Sequence, residues 1–103
     1  MNNINLFKKI LIMFITSLAL LPQLVLAMQI SIVTLTGTNH ALTVNPTDSI
    51  TAVKEKFADK QGIPVDQQKL FFNNNQLENS KTLTDYGIGD GSKLKLELRL
   101  KAG

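Results

Sequence analysis

Apolar and polar side chains alternate at both ends of the stretch from Met28 to Gly103, and a helical repeat lies between them. Met28-Gln29-Ile30-Ser31-Ile32 has the period of two that marks a half-buried strand. Leu35-Thr36-Gly37 supplies a turn, and alternation resumes at Leu42-Thr43-Val44, so the two runs predict a hairpin. Pro46-Thr47-Asp48-Ser49 then stops the strand and offers side chains able to cap a helix. Ile50, Val53 and Phe57 follow at i, i+3 and i+7, with Glu55, Lys56 and Lys60 on the other sides. This is an amphipathic helix, ended by Gly62 with Pro64 just beyond.

Lys69 to Phe72 predicts a third strand, Asn73-Asn74-Asn75 a turn, and Gln76-Leu77 a very short strand. Leu83, Tyr86 and Ile88 are core anchors in a looser segment. From Lys93 to Leu100 the alternation returns, with Leu94, Leu96, Leu98 and Leu100 on one side. The element order predicts an α+β fold, one helix packed on one mixed sheet of about five strands. The first and last strands are expected side by side and parallel, because the helix lies in the crossover between them. Thirteen apolar positions are expected in the core: Met28, Ile30, Ile32, Leu42, Val44, Ile50, Val53, Leu70, Leu77, Leu83, Ile88, Leu94 and Leu96.

The first 27 residues follow a different pattern. Lys8 and Lys9 precede an apolar run from Ile10 to Leu21, broken by Pro22, and Val25-Leu26-Ala27 places modest side chains before a cleavage point at Ala27 and Met28. That layout predicts a secretory signal peptide over 1–27 and a mature domain over 28–103, hence a secreted or periplasmic location. The run has twelve residues, against about twenty needed to span a bilayer. An uncleaved anchor is the other reading; membrane contact is expected only through the leader.

Composition narrows the chemistry. With no cysteine there is no thiolate zinc site and no cysteine nucleophile, and one histidine excludes a multi-histidine metal cage. No metal, no cofactor and no enzymatic activity are expected. The whole chain carries 11 basic and 8 acidic residues, but from Met28 onward the count is 9 against 8. A near-neutral domain implies no nucleic-acid partner. Lone His40 is expected on the surface, and the domain is expected to be a monomer.

Met28-Gln29-Ile30, Thr34-Leu35-Thr36-Gly37, Gly62-Ile63-Pro64, Asp66-Gln67-Gln68, Gln76-Leu77-Glu78, Asp85-Tyr86 and Leu98-Arg99-Leu100 closely resemble the ubiquitin family. The resemblance runs without a gap from Met28 to Gly103 and implies the β-grasp fold. It also implies a protein tag, whose C-terminal glycine is activated, passed to enzyme cysteines and joined to a lysine. Implied partners are ubiquitin-activating and conjugating enzymes, deubiquitinases or ubiquitin-binding domains. The implied conjugation tail is Arg99, Leu100, Lys101, Ala102 and Gly103. Arg99 matches the arginine by which activating enzymes discriminate, and Lys101 keeps a charge but loses the guanidinium fork. Ala102 stands where the family has a glycine that threads a narrow channel, so its methyl is expected to hinder transfer.

The implied recognition patch is Leu35, Phe71, Lys95 and Glu97. Glu97 puts a carboxylate where an apolar side chain is usual, and covering it weakens apolar partners. Lys95 and Lys69 are placed to offset part of that charge. Lys54, Lys56 and Lys60 match chain-accepting lysines, whereas Val33, Thr38, Asn75 and Asp90 replace others. The expectation is an exported mimic or decoy that engages or inhibits a host ubiquitin conjugation system through its tail. A non-conjugated extracytoplasmic binding module and a functional covalent modifier are the alternatives.

Overall fold

The computed structural model describes residues 27–100. The expected leader as far as residue 26 and the tail positions Lys101, Ala102 and Gly103 lie outside the described residues. Ala27 is exposed, and Met28 begins the first strand with its side chain buried.

Strands β1 (Met28–Val33) and β2 (Asn39–Val44) form the expected hairpin, in register from Met28 opposite Val44 to Val33 opposite Asn39. The turn closes through Gly37, whose N–H donates to the Thr34 carbonyl at 2.9 Å from a backbone with φ +85°, a conformation that favours glycine. Helix α1 (Ile50–Gln61) starts where Ser49 caps it, its Oγ accepting from the Ala52 N–H at 3.0 Å. That contact satisfies one of the donors a helix start leaves unpaired. Gly62 ends the helix in the left-handed region and donates to the Ala58 carbonyl at 2.7 Å.

After a short 3-10 turn at Val65–Gln67 come β3 (Gln68–Phe72) and the two-residue β4 (Asn75–Gln76). Asn73 and Asn74 make the turn with φ of 51° and 66°, but Asn75 pairs with Phe72 and belongs to β4. Strand β5 (Lys93–Leu98) completes a sheet ordered β2-β1-β5-β3-β4, with β1 and β5 parallel as expected. This is the β-grasp architecture, a five-stranded mixed sheet wrapped on one helix.

All thirteen expected core positions are buried, and Phe57 of α1 joins them with no exposed surface. Burying a side chain of this size contributes about 1.5–3 kcal/mol. Between β4 and β5 the chain is pinned at several points. The Ile50 N–H donates to the Lys81 carbonyl at 2.8 Å, the Leu83 N–H to the Asp48 carbonyl at 3.1 Å, and the Glu78 N–H to the Tyr86 hydroxyl at 2.7 Å. Leu98 and Leu100, on the same side of β5 but not among the expected core positions, are 51% and 90% exposed. They point to the helix side of the sheet but lie beyond the stretch that α1 covers, which ends at Gly62.

Candidate functional site

Strand alternation decides what the outer sheet face carries. On β5, Leu94 and Leu96 turn inward and are buried, so Lys93, Lys95 and Glu97 turn outward. On β3, Leu70 is inward, and Lys69 and Phe71 are outward and half-buried. The β3–β5 register sets Phe71 opposite Lys95 and Lys69 opposite Glu97. On the other flank Val33 of β1 lies beside Lys95, two residues before Leu35. The fold therefore brings Phe71, Lys95 and Glu97 onto adjacent strands, with Leu35 at the hairpin tip, 73% exposed.

Lys95 Nζ is 3.7 Å from Glu97 Oε1, which bears out the expected pairing of Glu97 with Lys95. Both side chains are substantially solvated, so this pair contributes about 0.2–1 kcal/mol. Lys69 holds the cross-strand place beside the same carboxylate. Beyond Leu98 the ladder makes one further bond, from the Arg99 N–H to the Gln67 carbonyl at 2.6 Å. Arg99 and Leu100 are exposed at the sheet's end.

A second surface was not anticipated. Leu35, His40, Ile63, Leu96, Leu98 and Leu100, with threonines of the hairpin, line an apolar groove of about 560 Å³. His40 is not a free surface residue: its ring meets Phe57 edge-on, with centroids 5.6 Å apart and planes at 73°. The one trace of this groove in the sequence is the leucine alternation that continues through Leu98 and Leu100.

The three helix lysines are all engaged. Lys54 is only 5% exposed and its amine donates to Asn79 Oδ1 at 2.7 Å; desolvation lowers its pKa. Lys56 pairs with Asp48 at 2.7 Å. Burial raises the Asp48 carboxyl, but the Asn45 N–H and the Lys56 ammonium together outweigh it and hold the group below its ordinary value. Lys60 donates to the Ala41 carbonyl of β2. Each amine must leave a partner before it can accept an acyl group, and Lys54 must also leave the interior. At the substituted positions, Asn75 of β4 pairs with Phe72 of β3, and Asp90 Oδ1 accepts from the Gln29 N–H at 2.8 Å, tying the last loop to β1.

Among the described residues no three His, Asp or Glu side chains are grouped to hold a metal ion, and no helix is long and apolar enough to cross a membrane.

The profile of the ubiquitin family matches residues 30–101. The chain is 41% identical over 76 residues to "Ubiquitin-like protein NEDD8" of Dictyostelium discoideum, an alignment covering 74% of this chain and 99% of that one. It is 37% identical over 76 residues to "Ubiquitin-like protein 1" of Schizosaccharomyces pombe, covering 74% of this chain and 97% of the relative. It is 43% identical over 76 residues to "AN1-type zinc finger protein 4" of Mus musculus, covering 74% of this chain but only 10% of that protein.

Proposed function

The chain belongs to the ubiquitin family, and on that premise we propose that it is an exported protein-binding module, a mimic or decoy of ubiquitin. It engages a conjugation system through its C-terminal segment and acts as a ligand, with no chemistry of its own. The observation that carries this is the end of β5. Leu98 is half-exposed, Arg99 is exposed although its N–H still bonds the Gln67 carbonyl, and Leu100 beyond it is 90% exposed. An activating enzyme can grip such a segment without unfolding the body, and a guanidinium at Arg99 offers two parallel hydrogen bonds to a carboxylate. Ala102 then separates recognition from transfer: a methyl enters a channel suited to glycine, so the chain is bound and poorly passed on. Glu97 acts in the same direction, because apolar partners must strip water from it and from Lys95.

A functional covalent modifier is the second reading. It is supported by near-complete coverage of relatives that are themselves small ubiquitin-like proteins. Chain extension would be confined, since the helix lysines are engaged and Val33, Thr38, Asn75 and Asp90 carry no amine. A non-conjugated extracytoplasmic module is supported by the leucine-lined groove.

Incubating the chain with activating enzyme and ATP separates these readings. Weak thioester formation that rises in Ala102→Gly supports the decoy; full charging of the parent chain, unchanged by Ala102→Gly, supports the modifier. No thioester together with no competition against ubiquitin leaves the binding module. Mass spectrometry of exported material tests the leader: Met28 as first residue is expected, and retained leader sequence counts against export by cleavage.

A further inference from the structure

The charges of the described residues are balanced in number but not in space. Residues 27–100 hold eight basic and eight acidic side chains. Four of the cations, Lys69, Lys93, Lys95 and Arg99, occupy outward positions of β3, β5 and the continuation of β5; among the acids, only Glu97 shares that face. The outward positions of the other strands are neutral: Gln29, Ser31 and Val33 on β1, Asn39, Ala41 and Thr43 on β2. Asp66 borders the rim, in a polar groove it shares with Lys69 and Arg99. Several acids elsewhere are held internally. Asp48 pairs with Lys56, Glu78 with Lys81, and Asp85 and Asp90 accept from the N–H groups of Thr82 and Gln29. One face of a neutral domain is thus a basic platform, net +3 on the strand positions themselves and +2 once Asp66 at its rim is counted.

We propose that this outer β3–β5 face docks an acidic segment of a partner protein, in a register set by Glu97. The inference rests on the protein-binding reading above and names the partner's chemistry. Along β5 the outward order is Lys93, Lys95, Glu97, Arg99, at a repeat of about 6.8 Å. A complementary extended segment presents acid, acid, base, acid at alternate residues, running in either direction. Glu97 makes the pattern unsymmetrical: a carboxylate brought over it meets like charge, so composition alone does not suffice. Phe71, half-buried opposite Lys95, adds a single apolar contact at the centre. One aromatic ring is too little for the serial base stacking of single-stranded nucleic acid, which argues for a polypeptide.

Fluorescence anisotropy with the full chain and two labelled peptides of identical composition tests this. One carries Glu, Glu, Lys, Glu at alternate positions with serines between; the other carries Lys, Glu, Glu, Glu, which matches in neither direction. At 0.15 M salt, one wrongly signed contact at about 5 Å changes affinity roughly fivefold after screening. In register the second peptide makes two wrongly signed contacts in either direction, so the first is expected to bind roughly twentyfold more tightly. Glu97→Lys should abolish that preference, Lys93→Glu should weaken the first peptide about fivefold, and Lys81→Glu, away from the face, should do nothing. Equal binding of the two peptides overturns the proposal, as does no binding of either at millimolar concentration. So does a Lys81→Glu loss equal to that of Lys93→Glu, or tighter binding of an oligonucleotide or anionic vesicle at the same site. Failure here leaves the charging test standing, since that test reads Ala102 and the tail.

Discussion

Replacing Glu97 by valine is the sharpest perturbation of the proposed recognition face. The side chain is 41% exposed and its carboxylate is 3.7 Å from Lys95 Nζ, so in the free protein the pair is largely hydrated. Its loss costs the fold little, within about 0.5 kcal/mol, and valine suits an outward strand position. The effect is felt when a partner covers the face. Desolvating a carboxylate without a full set of new partners costs several kcal/mol, of which Lys95 returns a part through Coulomb attraction in the drier interface. Valine removes that cost and adds apolar contact beside Phe71 across the β3–β5 ladder. Together these predict tighter binding of an apolar ubiquitin-recognising domain by about 1.5–2.5 kcal/mol, or roughly ten- to seventyfold. Titration calorimetry of the parent chain, Glu97→Val and Glu97→Gln against one such domain measures this. Glutamine should recover only part of the gain, because it removes charge without adding apolar surface. A flat affinity across the three, with circular dichroism unchanged, refutes the reasoning and moves recognition to another surface.

Other perturbations probe the fold and the lysines. Phe57→Ala empties a fully buried site and should cost about 3–5 kcal/mol in denaturant unfolding; a loss below 1 kcal/mol contradicts the packing described. Ser49→Ala removes the helix cap at 3.0 Å and should cost about 1 kcal/mol by the same measurement. Asp48 has a depressed folded pKa, so its stabilisation is present above the unfolded value near 3.8 and is lost as pH falls through the lower folded value. The stability gap between the parent and Asp48→Asn should therefore close below about pH 4, and a gap independent of pH refutes the assigned cause. Brief labelling with an amine-reactive ester should modify Lys54 last among the helix lysines, with Asn79→Ala accelerating it; equal rates for Lys54, Lys56 and Lys60 contradict its burial.

Much of the architecture was legible because local and global signals agree. Period-two runs became β1, β2 and β5, the i, i+3, i+7 row became the buried side of α1, and Ser49 and Gly62 bound the helix as their chemistry suggests. The outward series on β5 followed from alternation alone, so Lys95 and Glu97 could be placed together before any coordinates. What escaped notice depends on where elements stop against one another. Leu98 and Leu100 continue the inward row, but α1 does not reach them, and pattern alone cannot give that length mismatch. His40 packs on Phe57, 17 positions away in sequence, and Lys54 turns inward to Asn79, 25 positions away. Neither local polarity nor helical spacing distinguishes such a lysine from its exposed neighbours, because burial of its stem and a single acceptor decide the outcome.

Other proteins are expected to read this body and its exposed strand end as they read ubiquitin. Charging an activating enzyme with labelled ubiquitin and ATP, while the chain is added in rising amounts, measures whether they do. Ubiquitin thioester should fall in a concentration-dependent way, and Arg99→Ala should blunt the fall. Ubiquitin charging that stays constant at a large excess of folded chain would contradict that expectation.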